Sequence, residues 1–304
     1  DAGKRRSTMA KKERRSLGGK VVAITGGARG IGKATATALV RKGCRVAIGD
    51  LDLGLAEQTA AELGGGTIAV ALDVTDRDSF SAFLDEAERQ LGPLDVLVNN
   101  AGIMPVTPFA EESADSIRRQ LDINVFGVIT GMQLAIERMR PRNSGHIVNL
   151  ASQAGKGGFP GIATYSGTKH AVVGISEAVR AELRETEIEI ACVMPTVVKT
   201  ELTSGVGQKM IRPVEASDVA DEIVDALEVP RFDVWVPRAN GGLFKVVALM
   251  PRTWREALGR FMKVDKLMTE VDHGARRAYE ERAAHSEPGL EGDAEKEPAQ
   301  QKAA

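Results

Sequence analysis

Seven short apolar runs set the strongest limit on how this chain can fold. They lie at 21–25, 45–49, 67–72, 96–98, 146–150, 189–194 and 233–236, and several are rich in Val and Ile and polar on neither face. Strands of that kind are covered on both sides, as in parallel sheets flanked by helices. The stretches between them have helical character. Strand and helix alternating from residue 20 to about 240 predict an α/β fold: a doubly wound, Rossmann-type parallel sheet of about seven strands with helices on both faces. No internal repeat and no linker divides this region, so 19–240 is read as one catalytic domain.

The ends differ from it. Residues 1–18 are rich in Lys and Arg without apolar periodicity and are read as a disordered basic arm. The chain opens on Asp1, and Met9 is taken as the natural start. Region 241–284 is read as a C-terminal apolar and helical extension. Within it 242–250 is apolar except for Lys245, and Pro251 opens a helix with Trp254, Leu258, Phe261 and Met262 on one side. Residues 285–304, rich in Glu, Ala and Gln with prolines, are read as a disordered tail.

The first run leads into Thr25-Gly26-Gly27-Ala28-Arg29-Gly30-Ile31-Gly32 and then a helix. Glycines at this spacing allow a tight turn and a close backbone approach to a pyrophosphate, which the helix N-terminus attracts. Read alone, it is also an ordinary strand-to-helix turn. The second run ends at Asp50, followed by Leu51, about twenty residues on. A carboxylate there accepts hydrogen bonds from the adenosine ribose and repels a 2′-phosphate, which favours NAD over NADP. Arg29 argues the other way, and Asp50 carries more weight. Asp50 also has a plainer reading as a helix cap, a role open to Asp52 as well.

To these features the chain adds Leu72-Asp73-Val74, Asn99-Asn100-Ala101-Gly102, Asn124, Ser152, Tyr165-Ser166-Gly167-Thr168-Lys169 and 195–200. In this order and spacing they resemble the single-domain branch of the short-chain dehydrogenase/reductase family. The resemblance runs through most of residues 20–240. It implies an oxidoreductase that moves a hydride between NAD(H) and a secondary alcohol or ketone. It implies that Ser152, Tyr165 and Lys169 are the catalytic trio, with Asn124 as fourth member. Asp73 and Val74 would contact the adenine, Asn100, Ala101 and Gly102 would line the cofactor, and Pro195, Val198 and Thr200 would border the nicotinamide. The family's usual Pro-Gly at the end of the sixth strand is Pro195-Thr196 here, which leaves a side chain near the nicotinamide.

The residue types suit that chemistry. Tyr165 and Lys169 lie four apart, so on a helix they share a face. An ordinary phenol titrates too high for efficient proton transfer near neutrality, and a nearby ammonium is expected to bring it down. Lys169 would also hold the cofactor ribose, Ser152 the substrate oxygen, and Asn124 a water that completes a proton relay. His146 and His170 are read as structural. The four histidines and two cysteines lack metal-ligand spacing, so no metal site is expected.

The substrate pocket is expected from 104–106, 153–159, Met194 and 201–211, with Gln153 beside Ser152 and Tyr165. Met104, Phe159, Ile162 and Met210 make a hydrophobic alcohol or ketone, of steroid, retinoid or fatty-alcohol type, the expected substrate. The net charge of -2 gives no basic field for nucleic acid. Cys44 and Cys192 in apolar surroundings suit a reducing, cytoplasmic setting. A homo-oligomer, dimer or tetramer, is the default. Region 242–266 is read as cleft cover or subunit contact, with peripheral membrane contact as the alternative. Two other readings are a non-catalytic dinucleotide-binding redox sensor and a lyase or epimerase of related fold. The intact Ser152, Tyr165 and Lys169 argue against the first, and the short C-terminal region against the second.

Overall fold

A computed structural model describes residues 14–205, 213–261 and 273–284 of the chain. The seven apolar runs become β1 (Val21–Thr25), β2 (Arg45–Asp50), β3 (Ile68–Ala71), β4 (Val96–Asn99), β5 (Gly145–Leu150), β6 (Ile188–Pro195) and β7 (Asp233–Val236). They form one parallel sheet in the order β3-β2-β1-β4-β5-β6-β7. The helices are α1 (Gly30–Arg41), α2 (Leu53–Leu63), α3 (Arg77–Leu91), α4 (Ala114–Leu121), α5 (Gly127–Met139), α6 (Ala163–Glu182), α7 (Ala216–Glu228), α8 (Ala239–Leu249), α9 (Arg252–Phe261) and α10 (His273–Ala284). This is the doubly wound Rossmann fold with a helical C-terminal extension.

Side-chain alternation in β1 shows why helices are needed on both faces. Val21 and Ala23 join a core with Phe80 and Phe83 of α3, Val128 and Met132 of α5, and Val172 of α6. Val22 and Ile24 point the other way, to Ala36 and Leu39 of α1, Ala56 of α2 and Ile223 of α7. In α3 the buried Phe80, Phe83, Leu84, Ala87 and Leu91 fall at helical spacing, and Asp76 caps the start by accepting from the Asp78 N–H at 2.8 Å. Removing a side chain such as Phe80 or Phe83 from water stabilises the fold by about 1.5–3 kcal/mol.

The order reverses between β1 and β4, whose C-terminal ends lie side by side and open the crevice used for ligands in such sheets. One boundary needs correction. Residues 14–18, read as part of the disordered arm, are held: Leu17 is buried, Arg14 bonds Asp225 and Glu228 of α7, and the Arg15 N–H donates to the Glu228 carbonyl at 2.8 Å. Acidic residues on a distant helix supply this contact, so local composition does not reveal it. No helix among the described residues is long and apolar enough to cross a membrane.

Candidate active site

The turn from β1 into α1 is built for close approach. Gly26 has φ +64°, and a Cβ there would come within 3.0 Å of the Ala101 Cα. A Cβ on Gly32 would sit 2.1 Å from the Gly26 carbonyl oxygen. Glycine alone permits this left-handed turn and this packing of helix on loop. α1 begins at Gly30 with no side-chain cap and no acidic residue in its first turn, which includes Ile31. The N–H groups there and the positive end of the helix suit a pyrophosphate.

Asp50 ends β2 beside this turn. Its carboxylate accepts from the Ala28 N–H at 3.0 Å and the Asp52 N–H at 3.2 Å. Burial pushes its carboxyl up from the ordinary carboxylate range, against the pull of those two bonds and of Arg29. Asp52, rather than Asp50, caps α2, accepting from the Leu55 N–H at 3.0 Å. Arg29 is held by Asp52 at 2.9 Å and Glu201 at 3.4 Å. Leu51 is exposed next to Asp50. At the end of β4, the Asn100 amide donates to the carbonyls of Thr25 and Gly26, both at 2.9 Å. The N–H groups of Asn100 and Ala101 donate to the Thr25 hydroxyl, both at 3.0 Å. These bonds tie β4 to the glycine turn. Asp73 accepts from the Thr75 N–H and hydroxyl, and Val74 packs on Gly127 at the start of α5.

α6 delivers Tyr165 and Lys169 one turn apart, both buried, to the end of β5. Lys169 Nζ donates to the Leu150 carbonyl at 2.7 Å and lies 5.6 Å from the centre of the Tyr165 ring. Ser152 follows β5. Its hydroxyl accepts from the Ala154 N–H at 3.1 Å and lines the same pocket as Tyr165. Burial brings Lys169 down to about 8. Burial also pushes the Tyr165 phenol above its ordinary value, with the Ser152 hydroxyl opposing it and Tyr279 adding to it. The direction in the protein alone is thus upward, where Lys169 and the oxidised cofactor were expected to bring the phenol down.

Asn124 sits in a five-residue π-helical turn, Asp122–Phe126, between α4 and α5, a distortion frequent at functional sites. Its Oδ1 accepts from the Ile103 N–H at 2.9 Å. Its Nδ2 donates to the Ile103 carbonyl at 2.9 Å and to the Thr168 hydroxyl at 3.2 Å. Both amide donors are thus committed, and the side chain pins the strand-end loop that carries Gly102. A Cβ on Gly102 would lie 3.1 Å from Asn124 Oδ1 and 3.7 Å from Lys169 Nζ, which puts these groups around one point.

Tyr165, Ser152 and Lys169 open into a pocket whose other walls include Met104, Phe159, Ile162, Val197 and Leu202. Lys169 is the one charged side chain among its described lining residues. Asn100, Gly102, Pro195, Val198 and Thr200 line the same pocket on the side of the glycine turn, with Ile31. Glycine turn, β2 carboxylate, buried Tyr–Lys pair and apolar pocket thus lie along one sheet edge.

The family model for short chain dehydrogenases matches residues 20–211. This chain belongs to the short-chain dehydrogenase/reductase family. It is 41% identical over 194 residues to a sorbitol dehydrogenase of Cereibacter sphaeroides, covering 64% of this chain and 76% of that protein. It is 34% identical over 209 residues to a 3-alpha-(or 20-beta)-hydroxysteroid dehydrogenase of Mycobacterium tuberculosis, covering 66% and 80%. A short-chain dehydrogenase/reductase from Burkholderia phymatum, solved in complex with NAD, superposes with a TM-score of 0.70 at 27% identity, covering 76% of this chain and 93% of that one. Membership makes the chain an oxidoreductase of a family that uses a nicotinamide dinucleotide.

Within this short-chain dehydrogenase/reductase, the expected pocket residues divide. Met104, Gln153, Phe159 and Ile162 line the pocket, as does Thr196, the departure from the family's usual glycine. Met194 does not: it is fully buried on the α6 side of β6, because residues alternate along a strand and its neighbour Pro195 takes the pocket side. Gln153 spends its amide on the Val236 carbonyl at 3.2 Å and on Asn240 at 3.1 Å, which ties the pocket wall to β7 and α8. Met210 and the rest of 206–212 lie outside the described residues. His170 faces out, its Nδ1 at 2.8 Å from the Ser166 carbonyl, and His146 is buried in β5. Sequence reasoning placed 273–284 in the helical extension but missed its docking on the two loops at the pocket mouth. Its polar, Arg- and Glu-rich sequence carries no signal of that contact.

Proposed function

We propose that this protein transfers a hydride between NAD(H) and a hydrophobic secondary alcohol or ketone, with Tyr165 as acid/base. The convergence of Tyr165, Ser152 and Lys169 on one apolar pocket carries this reading. Gly26, Gly30 and Gly32 would hold the pyrophosphate, Asp50 and Leu51 the adenosine ribose, and Asp73 and Val74 the adenine. When bound, the cofactor supplies or accepts the hydride, and its oxidised ring adds a positive charge that favours the Tyr165 phenolate. Ser152 holds the substrate oxygen, and Tyr165 takes its proton in oxidation or returns it in reduction. Lys169 would orient the ribose beside Gly102 and exchange protons with solvent through a water next to the loop that Asn124 pins. Asp50 at the end of β2 supports NAD, and Arg29 is occupied by two carboxylates rather than left for a 2′-phosphate. Met104, Phe159, Ile162 and Leu202 support an apolar substrate.

The test is NADH-dependent reduction of 2-octanone, acetophenone and cyclohexanone, with Tyr165→Phe and Asp50→Ser alongside. The expected result is turnover with NADH, a loss of about 10²–10⁴-fold in Tyr165→Phe with NADH binding kept, and a shift towards NADPH in Asp50→Ser. Cofactor binding with no turnover on a wider panel would favour the redox-sensor reading. The outer face of α8 and α9 exposes Leu243, Val246, Leu249 and Trp254. That row supports a homo-oligomeric contact, measurable by light scattering, and the adjacent Arg252 and Arg255 support anionic-membrane contact as the alternative outcome, measurable by vesicle pelleting.

A further inference from the structure

Arg276 is fully buried, on a helix that lies outside the sheet domain. A guanidinium withdrawn from water is costly unless its N–H groups all find acceptors. Here they do. Nη1 donates to the carbonyls of Leu202 at 2.9 Å and Ser204 at 3.0 Å, and Nη2 donates to the Met104 carbonyl at 2.8 Å. Nε donates to Glu280 Oε1 at 3.0 Å, one turn along α10, which balances the charge. Three residues from Arg276, the Tyr279 hydroxyl accepts from the Met104 N–H at 2.8 Å, and the guanidinium lies 5.0 Å from the Tyr279 ring centre.

The backbone groups bonded this way belong to opposite walls of one pocket. Met104 follows β4 and Leu202 follows β6, and both line the cavity that holds Tyr165. One planar side chain therefore spans the two loops, and α10 satisfies both backbone groups of Met104. Lysine could not do this, because a single ammonium lacks the rigid fork that reaches three separated carbonyls.

We propose that Arg276 is a positioning residue for the substrate, which sets the width of the cleft by clamping the Met104 and Leu202 loops, with Tyr279 completing the clamp on the Met104 side. This rests on the reading of the pocket as the substrate site. α10 is then a wall of the active site, and the cleft's preference among apolar substrates depends on a helix far along the chain from the catalytic residues.

The test uses full-length Arg276→Ala, Arg276→Lys and Tyr279→Phe. Amide hydrogen exchange is followed at 102–107, at 198–205 and, as control, at 26–32, with NADH affinity and the KM for 2-octanone. In Arg276→Ala, exchange should speed about tenfold or more at both loops, since each lost buried charged bond is worth that much. The glycine turn should stay as in the wild type, NADH affinity should fall less than the KM for 2-octanone rises, and KM should rise more than kcat falls. Arg276→Lys should fail to rescue, and Tyr279→Phe should act at 102–107 alone. Wild-type exchange at both loops, or equal acceleration at 26–32, would overturn the clamp. If Arg276→Ala does not fold, Arg276→Lys and Tyr279→Phe carry the same comparison. A wild type that reduces no ketone would refute the proposed function, while the exchange pattern would still decide the clamp.

Discussion

Gly155 stands directly behind Lys169, and replacing it with alanine tests how tightly the site is built. It ends the 3₁₀ turn Gln153–Gly155 that begins just after Ser152. A Cβ there would lie 2.6 Å from the Lys169 carbonyl oxygen, 3.0 Å from the Lys169 carbonyl carbon and 3.0 Å from Val173 Cγ2. The first contact is roughly 1 Å inside ordinary van der Waals distance. Two of the three atoms are helix backbone, which has no rotamer to move to, so α6 and the Ser152 turn must separate. Overpacking of this kind costs about 1–3 kcal/mol, a fall in Tm of roughly 3–10 °C for a domain of this size. The separation also moves Ser152 away from Tyr165, and a misplacement near 1 Å costs about 10²-fold in rate. Differential scanning fluorimetry and kcat/KM for ketone reduction read the two effects, and NADH affinity should fall less than kcat/KM, because the glycine turn is elsewhere and only the Lys169 side of the cofactor site is displaced. Gly157→Ala, with nothing within 4 Å of the added carbon, is the control. Gly155→Ala with wild-type Tm and kcat/KM would refute the close packing on which the site geometry rests.

Two further outcomes follow from buried titrating groups. Lys169 titrates at about 8 in the folded protein against an ordinary 10.5, so between those values the unfolded chain holds more protons and stability gains from rising pH. Urea unfolding should show the wild type gaining about 1–2 kcal/mol over Lys169→Met from pH 8 to 9.5, and a flat difference would contradict the burial argument. His146 is held neutral, its imidazole pushed down to about 3 by burial and by Arg15, and its Nε2 has no hydrogen-bond partner among the described residues. The unfolded chain takes up the proton first as pH falls below 6.5, so stability is lost downward from there at up to about 1.4 kcal/mol per pH unit. His146→Leu should flatten that acid limb in urea titrations between pH 6.5 and 5, and an unchanged slope would count against a neutral buried imidazole.

The sheet was legible because its signal is local. A covered parallel strand is apolar on both faces, and several of the seven runs show this within a few residues, so the expected and observed strands differ only at their ends. The glycine turn, Asp50 and the Tyr165–Lys169 pair were legible for a similar reason. Backbone freedom and helical spacing are properties of neighbouring residues. The resemblance to short-chain dehydrogenases named the same positions from their order, which is again a feature of the chain read in line.

Other features depended on residues far apart in sequence. Met194 was expected in the pocket and lies in the core, because the facing of one strand residue depends on its register with β5 and β7. The upward direction of the Tyr165 phenol in the protein alone was not legible, because desolvation depends on everything packed around the ring, whereas spacing shows only the lysine one turn away. Residues 14–18 look like an unstructured arm until the carboxylates of α7, over two hundred residues away, are in place. Arg276 reads as one of several surface charges on a polar helix, and only the folded chain brings the carbonyls of Met104, Leu202 and Ser204 around it. The sequence alone determined the sheet and the glycine turn, because local periodicity and backbone sterics specify them, while the proton-transfer roles proposed for Ser152, Tyr165 and Lys169 come from the family resemblance. Tertiary structure decided the pocket walls, the ionisation of the buried groups and the docking of α10, because burial and hydrogen-bond partners exist only once distant segments meet.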